Sequence, residues 1–171
     1  MKAPAHDETD SSLSVILLVG LCGGLAEVVW VQVYAALTGR SSVEVARQVT
    51  ASLLPNMTDA AFAPGLGVVI HFALSLLVAL AYAVLIWTPF MRQRGPAASV
   101  TAAAGVLALI WMVNFLLVLP IVNAAFITLL PYSVSLGSKL LFGLAMAGVL
   151  YTEQHAEAKS AAEQTGKARR C

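Results

Sequence analysis

Charge is what this sequence has least of. Lys, Arg, Asp and Glu together make up 11% of its 171 residues, against roughly 25% in soluble domains. Between Arg94 and Lys139 there is no charged residue at all. With 59% of its residues hydrophobic, one domain of this length cannot cover itself with a polar surface, which excludes an ordinary water-borne fold. The net charge of +1 provides no basic field of the kind that draws proteins to nucleic acid.

Cysteine is almost as scarce. Cys22 sits inside an apolar run and Cys171 is the last residue, so neither a disulfide framework nor a zinc pattern is available. Of three histidines, His6 and His155 lie in polar ends, which removes bis-histidine haem ligation within the apolar part of the chain. Pairing His71 with Met112 or Met146 would make ligands of methionines that read as packing residues. No metal site and no cofactor are therefore expected. The P-loop, Gly-x-Ser-x-Gly and His-Glu-x-x-His patterns are all missing. Ser135 and Lys139 have the i, i+4 spacing of a serine–lysine dyad, whereas Ser138, adjacent to Lys139, should point elsewhere. Without further support the dyad does not make an enzyme.

What the chain has in quantity is long apolar sequence. Runs at 13–37, 66–89, 97–119 and 133–152 each reach the roughly 20 residues that span about 30 Å of hydrocarbon. In lipid the backbone must satisfy its own hydrogen bonds, so each run is a helix. The fold class expected is all-α: a four-transmembrane-helix bundle, with the bilayer as its surroundings. Residues 1–12 read as a disordered polar tail, and 153–171 as a mixed-charge solvated tail ending in the basic patch Lys167-Ala-Arg169-Arg170. The first run is too long for the core of a signal peptide and is expected to be retained.

The two longer connections differ. In 38–65, Ser41-x-x-Glu44 is a capping-box pattern. Val45, Ala46, Val49 and Leu53 follow at helical spacing up to Pro55, which predicts a short amphipathic helix lying on the membrane surface. The connection 120–132, apolar between Pro120 and Pro131, is expected in the interface or folded back into the bundle. Lys and Arg counts set orientation. Lys2, Arg92, Arg94, Lys159, Lys167, Arg169 and Arg170 fall on one side, Arg40 and Arg47 on the other. Both termini should be cytoplasmic, in a bacterial inner membrane. Gly24-x5-Trp30 matches Gly105-x5-Trp111, and Leu66-Gly67-x4-Phe72 matches Leu136-Gly137-x4-Phe142. A tandem repeat of a two-helix hairpin would produce these matches.

Five strongly polar side chains interrupt the runs: Glu27, Gln32, His71, Asn114 and Lys139. At 1.5 Å per residue, Glu27 lies roughly 3 Å outward of its helix centre, Lys139 about 5 Å, Asn114 about 8 Å, and Gln32 and His71 about 10 Å. All five fall in the outer half, which predicts one shared polar cluster with Glu27 paired to Lys139. Intramembrane charges normally face inward and find partners. The cluster can be helix glue or the lining of a path for a proton, ion or small polar solute. The small-x3-small patterns Gly20/Gly24 and Gly143/Ala147 mark packing faces. Sharing faces with Glu27 and Lys139, they predict the first helix packing on the fourth.

Glu27-x-x-Trp30, Ala46-Arg47-Gln48-Val49, Ile70-His71 and Ser138-Lys139-x-x-Phe142-Gly143 together resemble small bacterial four-helix membrane proteins of uncharacterised activity, some labelled sodium:proline symporter-like. The resemblance covers about residues 13–152 and carries over no activity. From the sequence, then, the protein is a non-enzymatic structural or accessory membrane component, with a minimal transporter or channel as the alternative. Its partners are the bilayer and either a second copy or another membrane protein.

Overall fold

The computed structural model describes residues 6–91 and 94–168. No strand occurs among them. Four helical stretches are long and apolar enough to cross a membrane: Leu13–Thr38, Ala63–Met91, Ala97–Val122 and Tyr132–Glu153. Each contains the corresponding apolar run. Large side chains such as Leu25, Val29, Leu77, Leu85, Leu109, Leu117 and Leu144 stand exposed on their outer faces, as helices that are apolar all round must leave them.

Helix α1 runs His6–Thr38. The acidic segment expected to be irregular is thus helical from His6, and residues 1–5 lie outside the described residues. Gly39, at φ +67°, ends the helix in the left-handed conformation that favours glycine.

Helix α2, Ser42–Leu53, starts on Ser41, whose side chain accepts the Glu44 N–H. Glu44 does not complete a reciprocal box. Its carboxylate accepts from Gln48 (2.8 Å) and pairs with Arg47 (3.3 Å). Helix α3, Ala63–Tyr82, continues as a π-helical segment, Ala83–Met91, with Pro89 inside it. Helix α4, Pro96–Val113, likewise continues as a π segment, Asn114–Val118, before α5, Leu119–Val122. Pro89 and Pro120 explain both irregularities. A proline lacks the N–H for the i−4 bond, and its ring clashes with that carbonyl, which widens the preceding turn. Helix α6, Ala124–Leu129, is followed by α7, Tyr132–Ala168. The mixed-charge tail is helical as far as Ala168, while Arg169 and Arg170 of the basic patch fall outside the described residues.

Helix α1 packs on both α3 and α7, and α4 packs on α7. Helices α3 and α4 do not pack along their lengths. They meet at the end that carries the termini, where Tyr82 Oη donates to the Ser99 carbonyl (3.4 Å). Two apolar cores result. At the terminal end, Val19, Tyr82, Trp87, Leu107, Phe142 and Met146 are buried together. At the connector end, Val45, Phe115, Leu119, Phe126 and Leu130 form the second core.

The connectors do not lie free. Helix α2 crosses α3 so closely that a Cβ on Gly67 would collide with the Ala46 carbonyl oxygen. Thr50, wholly buried, donates from Oγ1 to the Ala63 carbonyl at 2.6 Å. Asn123 caps α6 by accepting the Phe126 N–H, and its amide nitrogen reaches Gln48 and Ser52 of α2 at 3.0–3.1 Å. Arg40 donates to the Thr128 and Leu129 carbonyls at the end of α6 (both 3.1 Å). The amphipathic helix is therefore docked on α3 and α6 as a roof, and the 120–132 connection folds back beneath it through Phe126 and Leu130.

Candidate functional site

The site is built outward from Glu27. On α1 its direction lies between those of Gly23 and Gly24, because residues three and four apart share a helix face. Gly23 is on the side of α7, where an added Cβ would meet the Phe142 ring at 2.9 Å. Gly24 is on the side of α3, with Ser75 and Phe72 at 2.8 and 3.1 Å from the equivalent point. Glu27 therefore sits at the junction of two interfaces and reaches partners in both.

From α7, Lys139 Nζ lies 2.7 Å from Glu27 Oε1 and 2.9 Å from Oε2. Ser138 Oγ is 3.2 Å from Oε1 and 2.8 Å from the Ser135 carbonyl, so its single proton is shared between two acceptors. From α3, His71 Nε2 lies 3.9 Å from Glu27 Oε2 and 3.1 Å from the Gly24 carbonyl. A carbonyl only accepts, so Nε2 carries the proton in that bond. The Glu27 side chain is 4% exposed, whereas Lys139 and His71 are 23% and 22% exposed. The carboxylate is thus enclosed, and both basic groups keep an open side.

The stripe of small residues on α1 serves two neighbours, which corrects the expectation of one face turned to the fourth helix. Helix α1 does pack on α7, but through Gly23 and Glu27. Gly20 and Gly24 face α3, and Gly143 faces Ala103 and Ala104 of α4. Ala147 is buried in the terminal-end core. An apolar stripe wider than about 100° is broad enough to divide between partners.

Glu27, Gln32, His71, Asn114 and Lys139 all line one cavity of about 250 Å³. Its floor is Leu107 and Phe142 of the terminal-end core, and Val45, Phe126 and Leu130 belong to its roof. Most of the wall is apolar. Gln32 and Asn114 stand on that wall without a hydrogen bond to the Glu27 group among the described residues. Gln32 is exposed, and Asn114, half-buried, opens the π segment that follows α4.

Several contributors were not legible beforehand. Ser138 was expected to point away from Lys139, yet both reach Glu27, because the long lysine side chain curls back where the short serine points directly. Ser135 takes no part with Lys139. Its hydroxyl accepts the Trp111 indole N–H (2.9 Å), while Trp30 Nε1 donates to the Val134 carbonyl (2.9 Å). The Gly-x5-Trp matches were the only advance signal of these two stitches onto the first turn of α7.

No cluster of three or more His, Cys, Asp or Glu residues able to hold a metal ion occurs among the described residues. Compared with protein-family models, with curated proteins and with solved structures, the chain has no match.

Proposed function

We propose that this is a multi-pass membrane protein, a non-enzymatic four-helix bundle, that holds a small solute in the cavity beside Glu27, His71 and Lys139. Both termini are taken as cytoplasmic on the seven-to-two count of Lys and Arg. The two hairpins, α1–α3 and α4–α7, each carry short helical structure between their long helices, α2 in the first and α5 and α6 in the second, in keeping with a tandem repeat. A likeness to the small four-helix proteins named above fits the same picture.

One observation carries the functional reading: all five polar side chains line the same cavity, yet only three of them contact one another. Polar residues acting purely as glue would spend their hydrogen bonds on neighbouring helices. Gln32 and Asn114 keep theirs for whatever occupies the space, which is how ligand sites are built, with a few polar groups on an apolar wall. The volume lies just below the roughly 300–1,000 Å³ of sites for drug-sized ligands, so the occupant is small or only partly enclosed.

The test is to extract small molecules from protein purified in mild detergent, comparing wild type with Asn114→Leu. Stoichiometric recovery of one compound from wild type and its loss from a variant of unchanged stability is expected. Equal stability with nothing recovered from either would sink the reading. A structural role remains the second reading, favoured by Glu27 itself, whose carboxylate is fully engaged by Lys139 and Ser138. It expects Asn114→Leu to destabilise the fold instead.

A further inference from the structure

Packed elements cover the cavity toward each end, and one of its flanks is left unpacked. Toward the terminal end it is stopped by the core containing Leu107 and Phe142, beyond which Tyr82 of α3 is bonded to Ser99 of α4. Toward the connector end α2 and α6 cover it, locked together by Asn123 on Gln48 and Ser52. On its flanks α1 packs on α7, α3 on α1 and α4 on α7. The remaining flank is the seam between α3 and α4, whose cavity walls do not pack on one another. Leu74 and Val78 on one side and Ile110 on the other make that margin apolar.

In a bilayer such a seam opens onto acyl chains rather than water. We infer that the occupant is an uncharged single-chain membrane amphiphile. It enters sideways between α3 and α4, its oxygen-bearing head in the cavity and its chain left in the lipid. This deepens the proposed function and rests on it. Charge selects the head. Glu27 and Lys139 neutralise one another, so an anionic or cationic head would arrive without a counter-charge in a poorly solvated space. Hydrogen bonding selects it further. Lys139 has three N–H donors and gives two to Glu27, and Asn114 and Gln32 add amides that both donate and accept. Ester, amide or hydroxyl oxygens satisfy that set. Size limits the occupant further, because about 250 Å³ suits one small head with the first carbons of one chain and leaves no room for those of a second.

The experiment uses wild-type protein in phosphatidylcholine nanodiscs containing a monoacylglycerol with a diazirine at the ester end of its chain. After irradiation, adducts are mapped by mass spectrometry. Expected are adducts on Val28 and Val31, which line the cavity on α1, in addition to those on Val29 and Val33, which stand exposed on the outer surface. Ile110→Trp should remove the inner adducts and leave the outer ones. Leu74→Trp, across the seam, should do the same, so that misfolding of one variant does not decide the matter. Excess unlabelled monoacylglycerol should displace the probe, and excess palmitate or glycerol should not.

Adducts confined to Val29 and Val33 overturn lateral entry, and hydroxyl-radical footprinting then separates two outcomes. Oxidation at Val28 and Val31 would mean a water-filled cavity, leaving the solute site standing and the amphiphile wrong. No modification there by either route would mean a closed interior, and the proposed function would fall as well.

Discussion

Two seams of this molecule join helices that are each long and apolar enough to cross a membrane, and they behave oppositely. Between α1 and α7 the chain is stitched. Phe142 packs into the space left by Gly23, Lys139 and Ser138 grip Glu27, and Trp30 donates to Val134 while lying against Gly137. Between α3 and α4 the hydrogen bond from Tyr82 to the Ser99 carbonyl joins the terminal ends, and the helices do not pack along the rest of their lengths, where the cavity lies. Both helices of the stitched seam are α-helical throughout, and both helices of the open seam run into π segments. Apolarity cannot make this difference, because in lipid it gives no preference for one helix neighbour over the surrounding chains. Notches for close approach and a few polar bonds decide which seam closes.

That contrast is easiest to break at its charged pair. Glu27→Gln or Lys139→Met alone strands a charge in a site where the carboxylate is almost completely enclosed. A loss of about 3–5 kcal/mol is expected, seen as a large fall in thermal stability in detergent. Next comes the roof over the cavity. Gly67→Ala drives a methyl group into the Ala46 carbonyl, and backbone cannot yield as a side chain would. The overpacking should cost about 1–3 kcal/mol, and α2 should lose protection in hydrogen exchange. Trp30→Phe removes one indole bond from the stitched seam and should cost about 1 kcal/mol, measured by the same melt. Smallest is the open seam itself. Asn114→Leu, which breaks no interhelical bond among the described residues, should move stability by less than about 0.5 kcal/mol. A loss as large as that of Trp30→Phe would show the two seams to be alike.

How much of this could be read from the sequence differs along the chain. The spans were legible because backbone in hydrocarbon allows only one solution for a long apolar run. The cap of α2 was legible because Ser41 sits at the one position where a side-chain oxygen meets a free N–H. Glu27 and Lys139 were paired in advance by elimination, as the two opposite charges at similar depth. The rotation of α1 was not legible. Gly20, Gly23, Gly24 and Glu27 share a broad stripe, and only the shapes of Phe142 and Phe72 decide which glycine faces which neighbour. Ser138 was missed for a related reason, since helix spacing fixes where a side chain starts and not how far a flexible one bends back. Nor was the open seam legible, because an apolar helix face reads the same whether lipid or another helix covers it.

The bond between Glu27 and Lys139 closes the first seam, and a double-mutant cycle on Glu27→Gln and Lys139→Met measures it directly. If the two side chains hold one another as the 2.7 and 2.9 Å contacts require, the double variant strands no charge. It should then melt well above the level set by adding the two single losses, with a coupling of about 2–3 kcal/mol. Losses that simply add would mean that Glu27 and Lys139 do not meet.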